Sequence, residues 1–220
     1  VIVWKIYEQM RAIKNYVKRP FYEVRFKDLA GHVFKRTVPK DEQVTWRYLD
    51  KESGQNEKQN YQTADVVNEK HVKRHQAPDK LLDLAGLAAI LAPRGFDSKE
   101  VLRTYQKMYE AQIVSYPRTD DQSVTPEQFA ELLPKIDQIA DLVGVNKQLL
   151  THRKPRKTHV KSQGSHGANR PGLNVPISMQ SLSKYGASAG AIYGILAKNY
   201  LAMLAEDYIY DHVTAELRQY

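Results

Sequence analysis

The spacing of apolar residues changes repeatedly along this chain. Up to Pro78, several stretches alternate in steps of two. From Asp83 to Ala205 apolar residues recur in steps of three and four, and from Tyr208 to Leu217 the alternation returns. A period of two marks a half-buried strand, and a period near 3.6 marks a helix with one buried face. Strand and helix patterns arranged in blocks, not in strict alternation, point to an α+β fold. The terminal alternating run is expected to return to the first sheet. The expected organisation is a mainly helical domain over 77–206, inserted into an incomplete β-rich domain made of 1–76 and the return strand 207–220.

Within this frame the elements can be placed. Val3, Ile6, Met10, Ile13 and Val17 form one apolar stripe of a helix, which Pro20 stops. Phe21–Phe26 and Val33–Val38 flank Gly31 and predict a β-hairpin. Gln43–Tyr48 adds a candidate strand, and residues 64–76 another. Residues 49–63 are polar, contain Ser53 and Gly54, and are expected to form a long exposed loop. Asp83 is placed to cap a helix running to Ala92, ended by Pro93 and Gly95. Asp97 or Ser98 caps the next, whose apolar face is Val101, Leu102, Tyr105, Met108 and Tyr109. Thr125, Pro126 and Glu127 are a cap, a first-position proline and a first-turn acid. Pro134 opens a helix that Gly144 closes. Residues 151–176 are basic and rich in Pro and Gly, a loop. Ala187–Ala205 is a long helix with Ile192, Ile195, Leu196, Tyr200 and Leu204 inward.

Charge narrows the partners. The formal net charge is +8, and it is concentrated. No acidic residue occurs between Asp141 and Glu206, where nine basic residues lie, from Lys147 to Lys198. The rest of the chain holds 24 basic and 25 acidic residues, so the excess sits in one segment. A patch of one sign attracts a polyanion, most often nucleic acid. Arg153, Lys154, Arg156, Lys157 and Lys161 are expected to bind phosphates without reading sequence. The chain has no cysteine, which excludes disulfides, thiolate metal sites and cysteine nucleophiles. No apolar run approaches the ~18–20 residues that span a bilayer, no signal peptide is visible, and a cytoplasmic location is expected.

Two segments carry candidate chemistry. In Ile113–Asp120 (IVSYPRTD), Pro117 fixes the backbone just after Tyr116 and favours an extended Tyr116. Arg118 then shares a side with the tyrosine if the segment is extended. A phenol is a weak nucleophile at its free pKa of about 10. A neighbouring guanidinium favours the phenolate and stabilises charge on a phosphate. Taken alone, such a segment is far more often a surface turn with one ordinary tyrosine among 14. The second segment is Ser165–Pro171 (SHGANRP), in which His166 and Arg170 are phosphate-binding types. A lone histidine in a basic loop is also commonly just solvated. No metal-ligand spacing, phosphate-binding glycine loop or nucleophile elbow is present.

Several ordered stretches together resemble the type IA DNA topoisomerases. Gly95–Glu100 (GFDSKE), Tyr105–Ala111 (YQKMYEA) and Ser115–Asp120 (SYPRTD) resemble the family's run from "GFS-K-T" through "AQKLYE" to "SYPRTD". Ser165–Pro171 resembles its "H-x-A-I-x-P-T" motif. Ile192–Leu201 with Asp207–Asp211 resembles the following helix and return strand. Residues 1–26 are similar to the family's entry into its arch domain. The YPRTD form is closer to the topoisomerase III branch.

The resemblance implies an enzyme that nicks one DNA strand through a 5′-phosphotyrosine bond, passes another strand and reseals without ATP. Tyr116 would be the nucleophile, with Arg118 and His166 beside the scissile phosphate. Gln106, Glu110, Thr119 and Arg170 would lie at the DNA, which is single-stranded or underwound. It also implies a metal-binding TOPRIM domain of the same parent protein that supplies Mg²⁺. The chain lacks that domain, so the fragment alone is expected not to cleave. The alternative is a non-catalytic single-stranded DNA-binding module that keeps the fold.

Overall fold

The computed structural model describes residues 1–31, 33–34, 47–60, 65–162 and 166–217. The chain divides into two compact units, Val1–His71 with Val213–Tyr220, and Val72–His212. The second is continuous in sequence and interrupts the first.

In the first unit, α1 (Ile2–Lys14) follows the expected stripe but buries none of it. It ends at Asn15, before Pro20. A short antiparallel pair, β1 (Phe26–Lys27) and β2 (Val33–Phe34), sets Phe26 opposite Phe34 and Lys27 opposite Val33. The pair is shorter than the predicted hairpin, whose residues 35–38 lie outside the described residues. So does most of the candidate strand Gln43–Tyr48, although Tyr48 exchanges both backbone hydrogen bonds with Tyr22 at 2.8 and 2.9 Å.

The polar stretch read as a loop is in part a helix, α2 (Lys51–Gln59). Its start is an Asp50 cap that accepts from the Ser53 N–H at 2.7 Å and the Ser53 hydroxyl at 2.8 Å. These bonds hold the Asp50 carboxyl below the usual carboxylate range. Gly54 supplies a bare backbone against Tyr22 and Tyr48, so the helix packs through its glycine and needs no apolar stripe.

β3 (Val66–Gln76) pairs with β4 (Tyr208–Leu217) in a two-stranded ribbon. Both strands fall where the alternation predicts them.

The second unit holds every core residue found among the described residues, from Leu81 to Leu204. Three of its helices, α3, α4 and α5, begin at side-chain caps. Asp83 accepts from the Gly86 N–H at 2.6 Å and opens α3 (Leu84–Leu91). A 3₁₀ turn over Ala92–Arg94 then ends at Gly95. Asp97 accepts from the N–H groups of Lys99 and Glu100 and opens α4 (Ser98–Glu110). Thr125 and Gln128 form a reciprocal capping box at α5 (Pro126–Leu132). After a 3₁₀ turn at Leu133–Lys135, α6 (Ile136–Val143) ends at Gly144. α7 (Ala189–Ala202) buries Ile192, Tyr193, Leu196 and Tyr200. It packs against α3, α4 and α6.

On α4 the buried face is Val101, Thr104, Tyr105 and Met108, whereas Leu102 and Tyr109 remain exposed. The predicted stripe is too wide on one side, where Leu102 and Tyr109 both lie, and misses Thr104 on the other.

Candidate active site

The site starts from the way α4 ends. The Gln112 N–H donates to the Tyr109 carbonyl at 2.8 Å, and the Ile113 N–H donates to the Met108 carbonyl at 2.9 Å. With Gln112 at φ 59°, this is a Schellman motif, formed here without the usual glycine. It reverses the chain and sends residues 113–116 back along the helix.

These residues meet a second extended segment from the acid-free region. Val114 pairs antiparallel with Pro171. Ser115 donates its N–H to the Arg170 carbonyl at 3.0 Å, and Gly172 donates to the Ile113 carbonyl at 2.8 Å. The Ser115 hydroxyl donates to the Ala168 carbonyl at 3.3 Å and accepts from the Arg170 N–H at 3.0 Å. Gly172 is required by this approach: a Cβ there would lie 2.1 Å from the Gln112 carbonyl oxygen.

The pairing joins two residues 50 positions apart. The Tyr116 and His166 rings lie 5.1 Å apart, centre to centre, at 45°. Tyr109 meets Tyr116 edge-on at 5.4 Å. The half-buried Tyr116 is therefore held between a helix residue and a loop residue. The loop is itself anchored. Asp121 accepts from the Gly167 N–H at 3.1 Å, and Gln128 donates its amide to the His166 carbonyl at 3.1 Å. Gly167 sits at φ 71°, and a Cβ there would lie 2.1 Å from the Gln128 side-chain oxygen. Only glycine fits, because the left-handed conformation and the contact act together.

Arg118 is exposed, but the backbone around it is not extended. The Thr119 N–H bonds the Pro117 carbonyl at 3.1 Å, so Arg118 is the centre of a tight turn. The simple rule that places positions two apart on one side does not hold there. Thr119 accepts from the Asp121 N–H at 3.0 Å and stabilises the same turn. Gln106 and Glu110 are exposed on α4 and bond each other at 3.1 Å. Gln106 lies one turn before Tyr109.

The basic residues divide into two groups. Lys154, Lys157 and Lys161 are exposed. Arg156 is not available in the way its neighbours are. Its guanidinium donates to the Met203 carbonyl at 2.8 Å, to Asp207 at 2.6 Å and to the Ala205 carbonyl, and its side chain is 9% exposed. It caps the carbonyls at the end of α7, a structural task. Arg153 pairs with Asp137 and donates to the Leu150 carbonyl. Arg170 turns inward toward Tyr105 and Tyr200, its Nε and Nη1 buried without a partner. Burial lowers its pKa from the ordinary arginine value.

Four residues of this assembly were not singled out by sequence: Tyr109, Asp121, Gln128 and Asn169. Asn169 is 1% exposed. Gln128 had a signal, since its place three residues after Thr125 is that of a capping-box partner. The others act through tertiary contacts that no local pattern reports. Among the described residues, no group of three or more His, Cys, Asp or Glu is placed to hold a metal ion. No helix among them is long and apolar enough to cross a membrane.

Comparison with known proteins agrees with the resemblance. The DNA topoisomerase family profile matches residues 2–219. The full-length topoisomerase I of Thermotoga maritima has a similar fold, with a TM-score of 0.58 at 20% identity over 96% of this chain. The match covers 34% of that protein, so the chain spans about a third of its length. No curated protein matches the sequence. With its profile matched almost from end to end, the chain belongs to the type IA DNA topoisomerase family.

Proposed function

We propose that this chain is the nucleophile-bearing part of a topoisomerase III-like enzyme that cuts, passes and reseals DNA without ATP. The observation that carries the reading is the meeting of Tyr116 and His166, which lie 50 residues apart in the chain and 5.1 Å apart in the fold. In this reading, the Tyr116 hydroxyl oxygen bonds to the phosphorus and gives up its proton. The bond from phosphorus to the neighbouring 3′ oxygen breaks, and that oxygen takes a proton and leaves as a hydroxyl. The product is a 5′-phosphotyrosine, whose energy serves the resealing step. Arg118 on its exposed turn and His166 beside the tyrosine are the groups that would offset phosphate charge. Gln106, Glu110 and Thr119 would border the strand.

The substrate proposed is single-stranded or underwound DNA, bound electrostatically by Lys154, Lys157 and Lys161. A TOPRIM domain of the same parent protein, acting in the cytoplasm, would supply Mg²⁺.

The test is covalent trapping. A labelled single-stranded oligonucleotide is incubated with this chain, with the longer protein carrying the TOPRIM domain, and with its Tyr116→Phe variant. Denaturing electrophoresis is expected to show an adduct only for the longer protein with Tyr116. DNA binding without any adduct would favour the non-catalytic binding module instead.

A further inference from the structure

Asn169 lies in the extended segment that pairs with the Tyr116 segment, and its side chain is in the core. A buried carboxamide costs free energy unless its hydrogen-bonding groups find partners. Here the partners come from three separate elements. With the carboxamide oriented as its surroundings require, oxygen toward the donor and nitrogen toward the acceptors, the oxygen accepts from the Leu84 N–H at 2.8 Å and the nitrogen donates to the Tyr105 hydroxyl at 3.1 Å and to the Tyr116 carbonyl at 3.0 Å.

Each partner has a reason to need this bond. Leu84 is the first residue of α3, where the N–H has no partner within the helix. Tyr105 is fully buried on α4, so its hydroxyl has no water to turn to. The Tyr116 carbonyl belongs to the peptide bond that leads into Pro117, which has no N–H to return a ladder bond. One side chain thus ties the start of α3, the middle of α4 and the backbone of Tyr116 together. An apolar residue of the same volume would fill the space and fix none of these directions.

Fixing the Tyr116 peptide fixes the direction in which its side chain leaves the backbone. That direction determines whether the ring falls between Tyr109 and His166. We infer that Asn169 is a positioning residue for Tyr116, acting through the Tyr116 carbonyl and anchored by Leu84 and Tyr105. The inference rests on the proposed role of Tyr116 as nucleophile for its functional meaning, but its geometric content stands apart from that role.

The experiment uses two variants. Asn169→Leu keeps the volume and removes all three bonds. Asn169→Asp keeps an oxygen for the Leu84 N–H, so the α3 start is retained, and loses the donors to Tyr105 and Tyr116. On the 220-residue chain, magnetic resonance reads the ring-to-ring contact between Tyr116 and His166, and titration reads affinity for a single-stranded oligonucleotide. On the longer protein, adduct formation is timed at saturating DNA. The expected result is a weakened Tyr116–His166 contact and a tenfold or greater loss in adduct rate, with DNA affinity within twofold. Should Asn169→Leu fail to fold, Asn169→Asp carries the test alone.

An unchanged ring contact and unchanged adduct rate in Asn169→Asp would overturn the inference. So would a loss of rate matched by an equal loss of affinity, which marks a general structural role. The Tyr116→Phe control separates the two proposals. If it still forms an adduct, the nucleophile reading is wrong, while the ring contact still decides whether Asn169 positions Tyr116.

Discussion

α1 and α4 are each 13 residues long, each amphipathic, and they end differently. α4 has an Asp97 cap and an acid in its first turn, and it buries Val101, Tyr105 and Met108 beneath α7. α1 has no side-chain cap, and Val3, Ile6, Met10 and Ile13 of its stripe are all exposed. Apolar periodicity thus specifies a helix and which face it offers. Burial depends on a second element that offers a matching surface, and for α4 that element is α7. The contrast recurs at single residues. Arg156 and Lys157 are neighbouring cations, yet one is built into the end of α7 and the other faces solvent.

The contrast is tested most severely by truncation. Tyr105→Ala is expected to destabilise the Val72–His212 unit by about 3–5 kcal/mol, because it opens a cavity in the core. Met10→Ala on α1 should stay within about 0.5 kcal/mol. Denaturant titration followed by circular dichroism gives both values. A large loss from Met10→Ala would show that α1 has a partner surface after all.

Arg156→Ala comes next, with an expected loss of about 3 kcal/mol, since it leaves Asp207 and two carbonyls without their donor. Its single-strand affinity at fixed salt should change little once the protein is folded. Lys157→Ala should do the opposite: stability unchanged, and the salt slope of single-strand binding lowered by about 0.7. Equal salt slopes for the two variants would remove the distinction.

Asp97→Ala removes the α4 cap and should cost about 1 kcal/mol, read as a shift in the thermal midpoint. A null effect would mean that packing under α7, not the cap, sets where α4 begins. The smallest effect concerns pH. The Arg153 hydrogen bond holds the Asp137 carboxyl below its usual range. A carboxyl with a lowered folded pKa contributes stability above its unfolded pKa and loses it as pH falls through the lowered value. The small gap in thermal midpoint between wild type and Asp137→Asn should therefore be present at pH 7 and close in acid. A gap that is constant with pH would assign the effect to packing.

These contrasts also explain what was legible in the sequence. Asp83, Asp97 and Thr125 were visible as caps because capping is local chemistry within three residues. β3 and β4 were visible because alternation is local too. α2 was missed because its helix starts at Asp50 and packs through Gly54, with no stripe to detect. The chain order of the motifs pointed to Tyr116 and His166. The residues that hold them in place, Asn169 and Asp121, were invisible because their partners lie 45 or more positions away. Arg156 was assigned to phosphate by composition, and a tertiary partner redirected it.

The 50-residue separation between Tyr116 and His166 has a consequence for assembly. The intervening chain contains α5 and α6, so closing the pair joins the ends of a long loop. For a flexible loop of that length the closure entropy scales to about 3.5 kcal/mol. Contacts that close the same loop repay it, among them the Val124 N–H on the His159 carbonyl, the Gly167 N–H on Asp121, and the docking of residues 168–174 on 112–116. Tyr116 therefore acquires its histidine neighbour through long-range contacts, not through local structure. A growing or partly unfolded chain carries the tyrosine without this neighbour, and the paired arrangement arises only when the two segments meet.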